Sequence, residues 1–299
     1  MKLDGRRKSS NVEDRRGLST GTKAGLGIGG IAGIIIVAVM TLMQGGSWTD
    51  VASNVGQQVV QNMANGVKTE TVEGQREFTA EEQQLAEECS QILASTEDVW
   101  SKVFRENRLG EYQAPTMVLF TNSVNSACGS ATSAVGPFYC SGDQKLYIDL
   151  SFFTEMKRQL GVQGNTFAYA YVIAHEIGHH VEYSLGTLGK AHQQMRQVDQ
   201  AQANQISVRL ELLADYYAGV WAHYENERFK SLEDGDIDKA IELARAIGDD
   251  YLQKKAQGYS QPESFTHGTS EQRKRWLKRG IDSGDMRVTT FNVQNYNDL

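Results

Sequence analysis

The chain has 299 residues, 40% of them hydrophobic, with 37 acidic side chains against 30 basic ones and a net charge of −7. That balance excludes a nucleic-acid partner held through phosphate contacts. Only three prolines, no internal repeat and no low-complexity tract leave the local motifs to carry the reading.

The first 23 residues hold seven Lys/Arg (Lys2, Arg6, Arg7, Lys8, Arg15, Arg16, Lys23) against Asp4, Glu13 and Asp14, a net of +4 that leaves −11 for the remainder. Residues 24–43 carry no charge, and at about 1.5 Å per residue this run matches a hydrocarbon thickness of about 30 Å. An uncleaved transmembrane helix is expected. The basic region before it is long, the apolar run exceeds a signal h-region, and no small-x-small cleavage site follows promptly. The basic flank 1–23 marks the cytoplasmic side, so the reading is a single-pass inner-membrane protein with everything after Met43 periplasmic or extracellular. Gly25, Gly29 and Gly33, four apart, offer a close-packing face through which two copies could pair as a homodimer. Residues 44–77, rich in Gly, Asn, Gln and Ser, read as a tether, and residues 78–299 as the folded domain.

That domain opens with Thr79-Ala-Glu-Glu82, a capping box, and Leu85, Ile92, Val99 and Val103 continue a helix to about Phe104. Cys89 lies within it and is expected to be buried. Thr116–Thr121 reads as a strand, and 136–140 and 145–150 read as two more around the turn 141–144. Cys128 and Cys140 bracket a Gly/Ser/Ala-rich stretch, and an oxidising compartment lets them form a disulfide. In the chain-entropy model a loop of this size gains about 3 kcal/mol. Pro137 fits an edge strand, which could hydrogen-bond an extended peptide.

Next comes His175-Glu176-Ile177-Gly178-His179. Phe167, Tyr171, Ala174, Gly178, Val181 and Leu185 recur at spacings of three and four, so the segment is expected to be a helix ended by Gly186. On a helix His175 and His179 project from one face and can reach the same cation, while Glu176 can touch a water there without displacing it. Gly178 costs about 1 kcal/mol relative to Ala, which points to another backbone or a substrate passing close by. Downstream, Leu210, Leu213, Tyr217 and Val220 mark a second helix on which Glu211 and Asp215 stand four apart. A catalytic zinc takes three protein ligands, so Glu211 completes a His-His-Glu set. Asp215 is placed to accept the other ring N–H of a ligand histidine. His180, His192 and His223 are alternative ligands. Lys190–Ile206 reads as an exposed helix or flap, Asp236–Ala256 as one helical segment, and 270–278 as a basic helix. Between the last two stands His267, which is either a loop histidine or a donor to the oxyanion formed in hydrolysis; it is the second catalytic candidate beside Glu176.

HExxH followed by a helix with ExxxD is the gluzincin arrangement. The stretches 170–181, 207–215 and Thr266–Arg273 resemble the putative neutral zinc metallopeptidase family (YpfJ-like), with the similarity running from about Thr79 to Met286. What the resemblance implies is an α+β gluzincin-like fold and a zinc-binding peptidase. In the CAAX prenyl endopeptidases, which are similar gluzincins, a His-Pro stretch followed by Arg stands where this chain has His267-Gly268. The combined reading is a membrane-anchored Zn2+ metallopeptidase acting on a peptide or protein substrate. Its alternative is a non-catalytic envelope protein in which zinc is a structural staple and the surface binds a partner.

Overall fold

Helix α1 (Ala80–Glu106) starts at the expected capping box: Thr79 Oγ1 accepts from the Glu82 amide at 3.1 Å, and the Glu82 carboxylate accepts from the Thr79 amide at 2.9 Å. The computed structural model describes residues 1–17, 77–154 and 166–299. The uncharged run 24–43, its Gly25/Gly29/Gly33 face and the tether up to residue 76 therefore lie outside the described residues. Among the described residues no helix is long and apolar enough to cross a membrane.

Two small sheets follow α1, and the first strand of the larger one comes from the N-terminus. The order is β1 (Val12–Asp14), β2 (Thr116–Phe120), β6 (Lys145–Asp149), β5 (Phe138–Cys140). β1 and β6 run parallel to β2, whereas β5 is antiparallel to β6. β2 is an unbroken apolar run because both its faces are covered. Met117 and Leu119 join the main core, and Val118 and Phe120 pack with Tyr147 and Cys140. β5 sits at an edge, as Pro137 suggested. A hairpin of β3 (Ser123–Ser126) and β4 (Gly129–Thr132) fills the connection between β2 and β5; no strand was expected there, since its residues are too small and polar to alternate visibly.

The helices are α2 (Thr166–Ser184), α3 (Thr187–Met195), α4 (Gln200–Phe229), α5 (Asp236–Ala246), α6 (Asp249–Gln257) and α7 (Ser270–Ser283). α4 is the axis on which α2, α3 and α7 pack. Glycines allow the approach: a Cβ on Gly178 of α2 would lie 2.8 Å from the Ala214 Cα of α4, so the close backbone inferred from its helix penalty is α4 itself. Gly186, with φ of 75°, ends α2 as expected.

Three expectations need correction. The α+β class holds, but residues 1–17 are not a flank separate from the domain: β1 pairs with β2 in register Val12↔Met117, Glu13↔Val118, Asp14↔Leu119. Arg6, Arg7 and Lys8 pair with Glu225, Asp98 and Glu87 of the domain. Composition hid this, because the acids that pair with Arg6, Arg7 and Lys8 lie 79 or more positions downstream. Lys190–Ile206, expected as an exposed helix or flap, takes the first form: it is helical on both sides of 196–199 and mostly exposed, with Ala191 and Ile206 packed inward. The segment from Asp236 breaks at Gly248, where a Cβ would meet the Ser270 amide at 2.5 Å. The last helix runs on to Ser283 because Trp276, Leu277 and Gly280 are buried against α4.

Candidate metal centre

The i, i+4 spacing on α2 places His175 and His179 side by side, their ring centroids 5.0 Å apart. α4 crosses at Gly178 and brings Glu211 up to both: His175 Nε2 lies 3.2 Å from Glu211 Oε2, and His179 Nε2 lies 3.5 Å from Oε1. Zinc bonds of about 2.1 Å at tetrahedral angles separate neighbouring donors by about 3.4 Å, so these spacings suit that ion. One donor atom from each of the three residues lies within 4.8 Å of the others, and among the described residues no other such group of His, Cys, Asp or Glu occurs.

The far sides of both rings select the tautomer that zinc needs. His175 Nδ1 is 2.8 Å from Asp215 Oδ1, and His179 Nδ1 is 2.9 Å from Glu182 Oε2. A carboxylate accepts, so each Nδ1 carries a proton and each Nε2 is the nitrogen that would give up its own proton to bind the cation. The two acids differ in their own support. Asp215 receives Arg273 bidentately (2.8 and 2.9 Å) and the Tyr171 hydroxyl at 2.6 Å. Burial works against its charge, but Arg273 and then His175 hold its carboxyl down at about 2. Glu182 has His179 on one oxygen and no hydrogen-bond partner on the other, and burial pushes it up to about 7.

Burial also opposes charge on His175, yet Asp215 and Glu211 outweigh it and raise that imidazole to about 9. Glu211 lies well below the usual carboxylate range: burial acts upward, while His267 and then His179 pull it down. His267 is close enough for its charge to act on Glu211. Its Nδ1 is 3.2 Å from Asp249 Oδ1, and Asp249 Oδ2 also accepts the amides of Thr266, His267 and Gly268 at 2.7, 2.6 and 3.1 Å. The Gly248 break that splits α5 from α6 is what lets Asp249 reach this loop.

Glu176 is partly buried, and burial raises its carboxyl. It feels the charges of both histidines and of Glu211, and the Tyr139 backbone on edge strand β5 weakly favours its ionised form. Tyr139 is pinned in turn. His180 Nε2 lies 2.7 Å from the Gln113 carbonyl, so that nitrogen is protonated, and His180 Nδ1 accepts the Tyr139 hydroxyl at 2.9 Å. His180 is thus a strut between α2 and β5 rather than a ligand. His223 bonds the Ile281 carbonyl at 2.8 Å, and neither it nor His192 belongs to the metal group. The disulfide Cys128–Cys140, Cα atoms 5.8 Å apart, ties the β3–β4 turn to β5 next to Tyr139, while Cys89 is a free, buried thiol.

Glu182, Arg273, Tyr171, Asp249 and Tyr139 were not singled out as site residues from the sequence. Glu182 had a usable signal, since it stands three after His179 on a helix already recognised. Tyr171 stands four before His175 on the same helix, where it reads only as part of the apolar face; the other three reach the centre from different elements, and no local spacing marks them.

Comparison with known proteins places residues 1–291 within a family model described as "Putative neutral zinc metallopeptidase". YpfJ of Escherichia coli (strain K12), named an uncharacterized protein, is 44% identical over 292 residues, 95% of this chain and 96% of its own. Rv2575 of Mycobacterium tuberculosis (strain H37Rv), likewise named uncharacterized, is 41% identical over 203 residues, 65% of this chain and 66% of its own. No solved structure matches the chain.

Proposed function

Because the chain belongs to the family of putative neutral zinc metallopeptidases, we propose that it is a zinc-dependent peptidase in which His175, His179 and Glu211 hold the metal and Glu176 is the general base. The observation that carries this reading is the joint placement of a three-donor set spaced for zinc and a fourth carboxylate, Glu176, next to His175 on α2 and under the charges of both histidines and Glu211. Bound zinc supplies Lewis acidity toward the scissile carbonyl and lowers the pKa of water toward about 7.

The protein's own groups do the rest. Glu176 takes the proton of the attacking water and passes it to the leaving amine. Asp215 and Glu182 keep both imidazoles in the ligating tautomer. His267, held by Asp249, donates to the oxyanion. Among the described residues β5 has one neighbour in its sheet, so an extended peptide can add along its other edge, beside Tyr139. The Cys128–Cys140 pair supports action in an oxidising, extracytoplasmic compartment.

The test is a fluorogenic peptide library on zinc-loaded full-length protein, with a chelator control. Glu176→Gln should keep zinc and lose hydrolysis, and Glu211→Ala should lose zinc and thermal stability together. Full activity in Glu176→Gln would transfer the protein to the reading in which zinc is only a structural staple.

A further inference from the structure

Residues 1–17 are built into the domain at two separate places. Near the start, Arg6 donates to both oxygens of Glu225, at 2.7 and 3.1 Å, and Glu225 has no exposed surface. The Ser95 and Ser231 hydroxyls complete its shell, and the Arg6 guanidinium lies 3.6 Å from the centroid of the Phe229 ring. Ser9 and Asn11 bond the carboxylate of Glu97 at 2.6 and 2.8 Å. At the other end β1 forms an edge of the main sheet. Beyond it, the Arg16 guanidinium lies 4.2 Å from the centroid of the Phe78 ring and donates to the Glu82 carbonyl at 2.9 Å. A Cβ on Gly17 would touch the same Phe78 ring at 3.8 Å. Residues 17 and 78, on either side of the stretch outside the described residues, are thus neighbours in space.

From this we propose that residues 1–17 and the histidine centre face the same side of any membrane the protein meets, so that 24–43 is not a single-pass anchor with the N-terminus on the opposite face. A chain that departs from and returns to one point crosses a bilayer an even number of times or not at all. The run 24–43 is long enough for one crossing of about 30 Å, and residues 44–76 contain no second uncharged run of that length. One crossing would strand residues 1–17 across the membrane. Glu225 would then be left as a buried carboxylate without its cation, β2 would have a bare edge inside the domain, and Arg6, Arg7 and Lys8 would lose the acids they pair with. Those basic residues, which by count alone mark a cytoplasmic flank, are consumed by the fold. The family match beginning at residue 1 agrees with a segment that belongs to the unit.

The experiment uses full-length protein in intact cells and needs no peptidase activity. Lys8 and Glu87 form an exposed ion pair at 2.8 Å, with side chains 56% and 49% accessible, so each can be replaced without disturbing the core. Lys8→Cys and Glu87→Cys are made separately and treated with a membrane-impermeant maleimide before and after permeabilisation. Background is low, because Cys89 is buried and the other two cysteines are paired. Both positions should label together, either before permeabilisation or only after it, and a short bis-maleimide should join them in the double variant. Labelling of one position in intact cells with complete loss of labelling at the other until permeabilisation would overturn the proposal.

Discussion

Helix α4 carries two carboxylates with no exposed surface, Asp215 and Glu225, and each is met by an arginine from far along the chain, Arg273 or Arg6. The local physics is the same in both regions: an anion removed from water, a guanidinium fork, and hydroxyls on the remaining lone pairs. They differ in what else the carboxylate touches. Asp215 accepts from His175 Nδ1, and so orients a residue of the candidate metal centre. Glu225 meets only Arg6 and two serine hydroxyls, so its effect ends in holding the N-terminal segment. A buried ion pair becomes functional here through the third partner it holds.

The largest expected effects break the two pairs one at a time. Arg6→Met leaves Glu225 uncompensated and should cost about 3–5 kcal/mol in urea unfolding, and Arg273→Met should cost a similar amount at Asp215. Zinc titration of the folded fraction separates them. Affinity should be unchanged in Arg6→Met and reduced in Arg273→Met, and an equal loss in both would erase the distinction. The double variant Arg6→Met/Glu225→Met removes both charges and should regain most of the stability, because an apolar pair of similar volume replaces a buried ion pair at little cost.

The two acids behind the histidines sharpen the comparison within the centre. Asp215→Asn can present its amide to His175 and should weaken zinc binding by about 10- to 100-fold. Glu182→Gln keeps a carbonyl acceptor for His179 Nδ1, and Glu182 has no cation of its own to strand, so its loss should fall below about tenfold. A larger loss at Glu182 than at Asp215 would show that the arginine behind Asp215 is irrelevant to ligation.

The smallest effect concerns pH at β1. Lys145 holds Glu13 below its ordinary value, and Arg16 does the same for Asp14. Folded pKa values below the unfolded ones contribute stability above the usual carboxylate range, and that contribution is lost as pH falls through the folded values. Both acids are substantially exposed, so each accounts for no more than about 1 kcal/mol. The protection factor against hydrogen exchange, corrected for the intrinsic rate at each pH, should fall at Val12–Asp14 in acid while the Glu225 end stays protected. Equal loss of protection at both ends would mean that the segment detaches as one piece.

The parts of the molecule readable in advance are those where one element holds the whole pattern. HExxH and ExxxD each lie within a single helix, and the fixed rotation per residue converts their spacing into a shared face before any packing is known. The capping box at Thr79 and the helix end at Gly186 are local in the same way. The Cys128–Cys140 pairing is nearly so, because a twelve-residue separation leaves few ways to close the loop. The helix penalty at Gly178 even pointed to a close backbone, though not to Ala214.

What tertiary structure alone decided is every contact that joins elements. Arg273 reaches Asp215 across 58 positions and Arg6 reaches Glu225 across 219. In sequence the first is one of several bases on a basic helix, and the second is part of a basic flank. Whether such a guanidinium is solvated or buried depends on which surface its helix or strand is packed against, and no periodicity encodes that. Residues 1–17 were misread for this reason: their charge is visible in the composition, but the acids that neutralise it are assembled only when α1 and α4 come together.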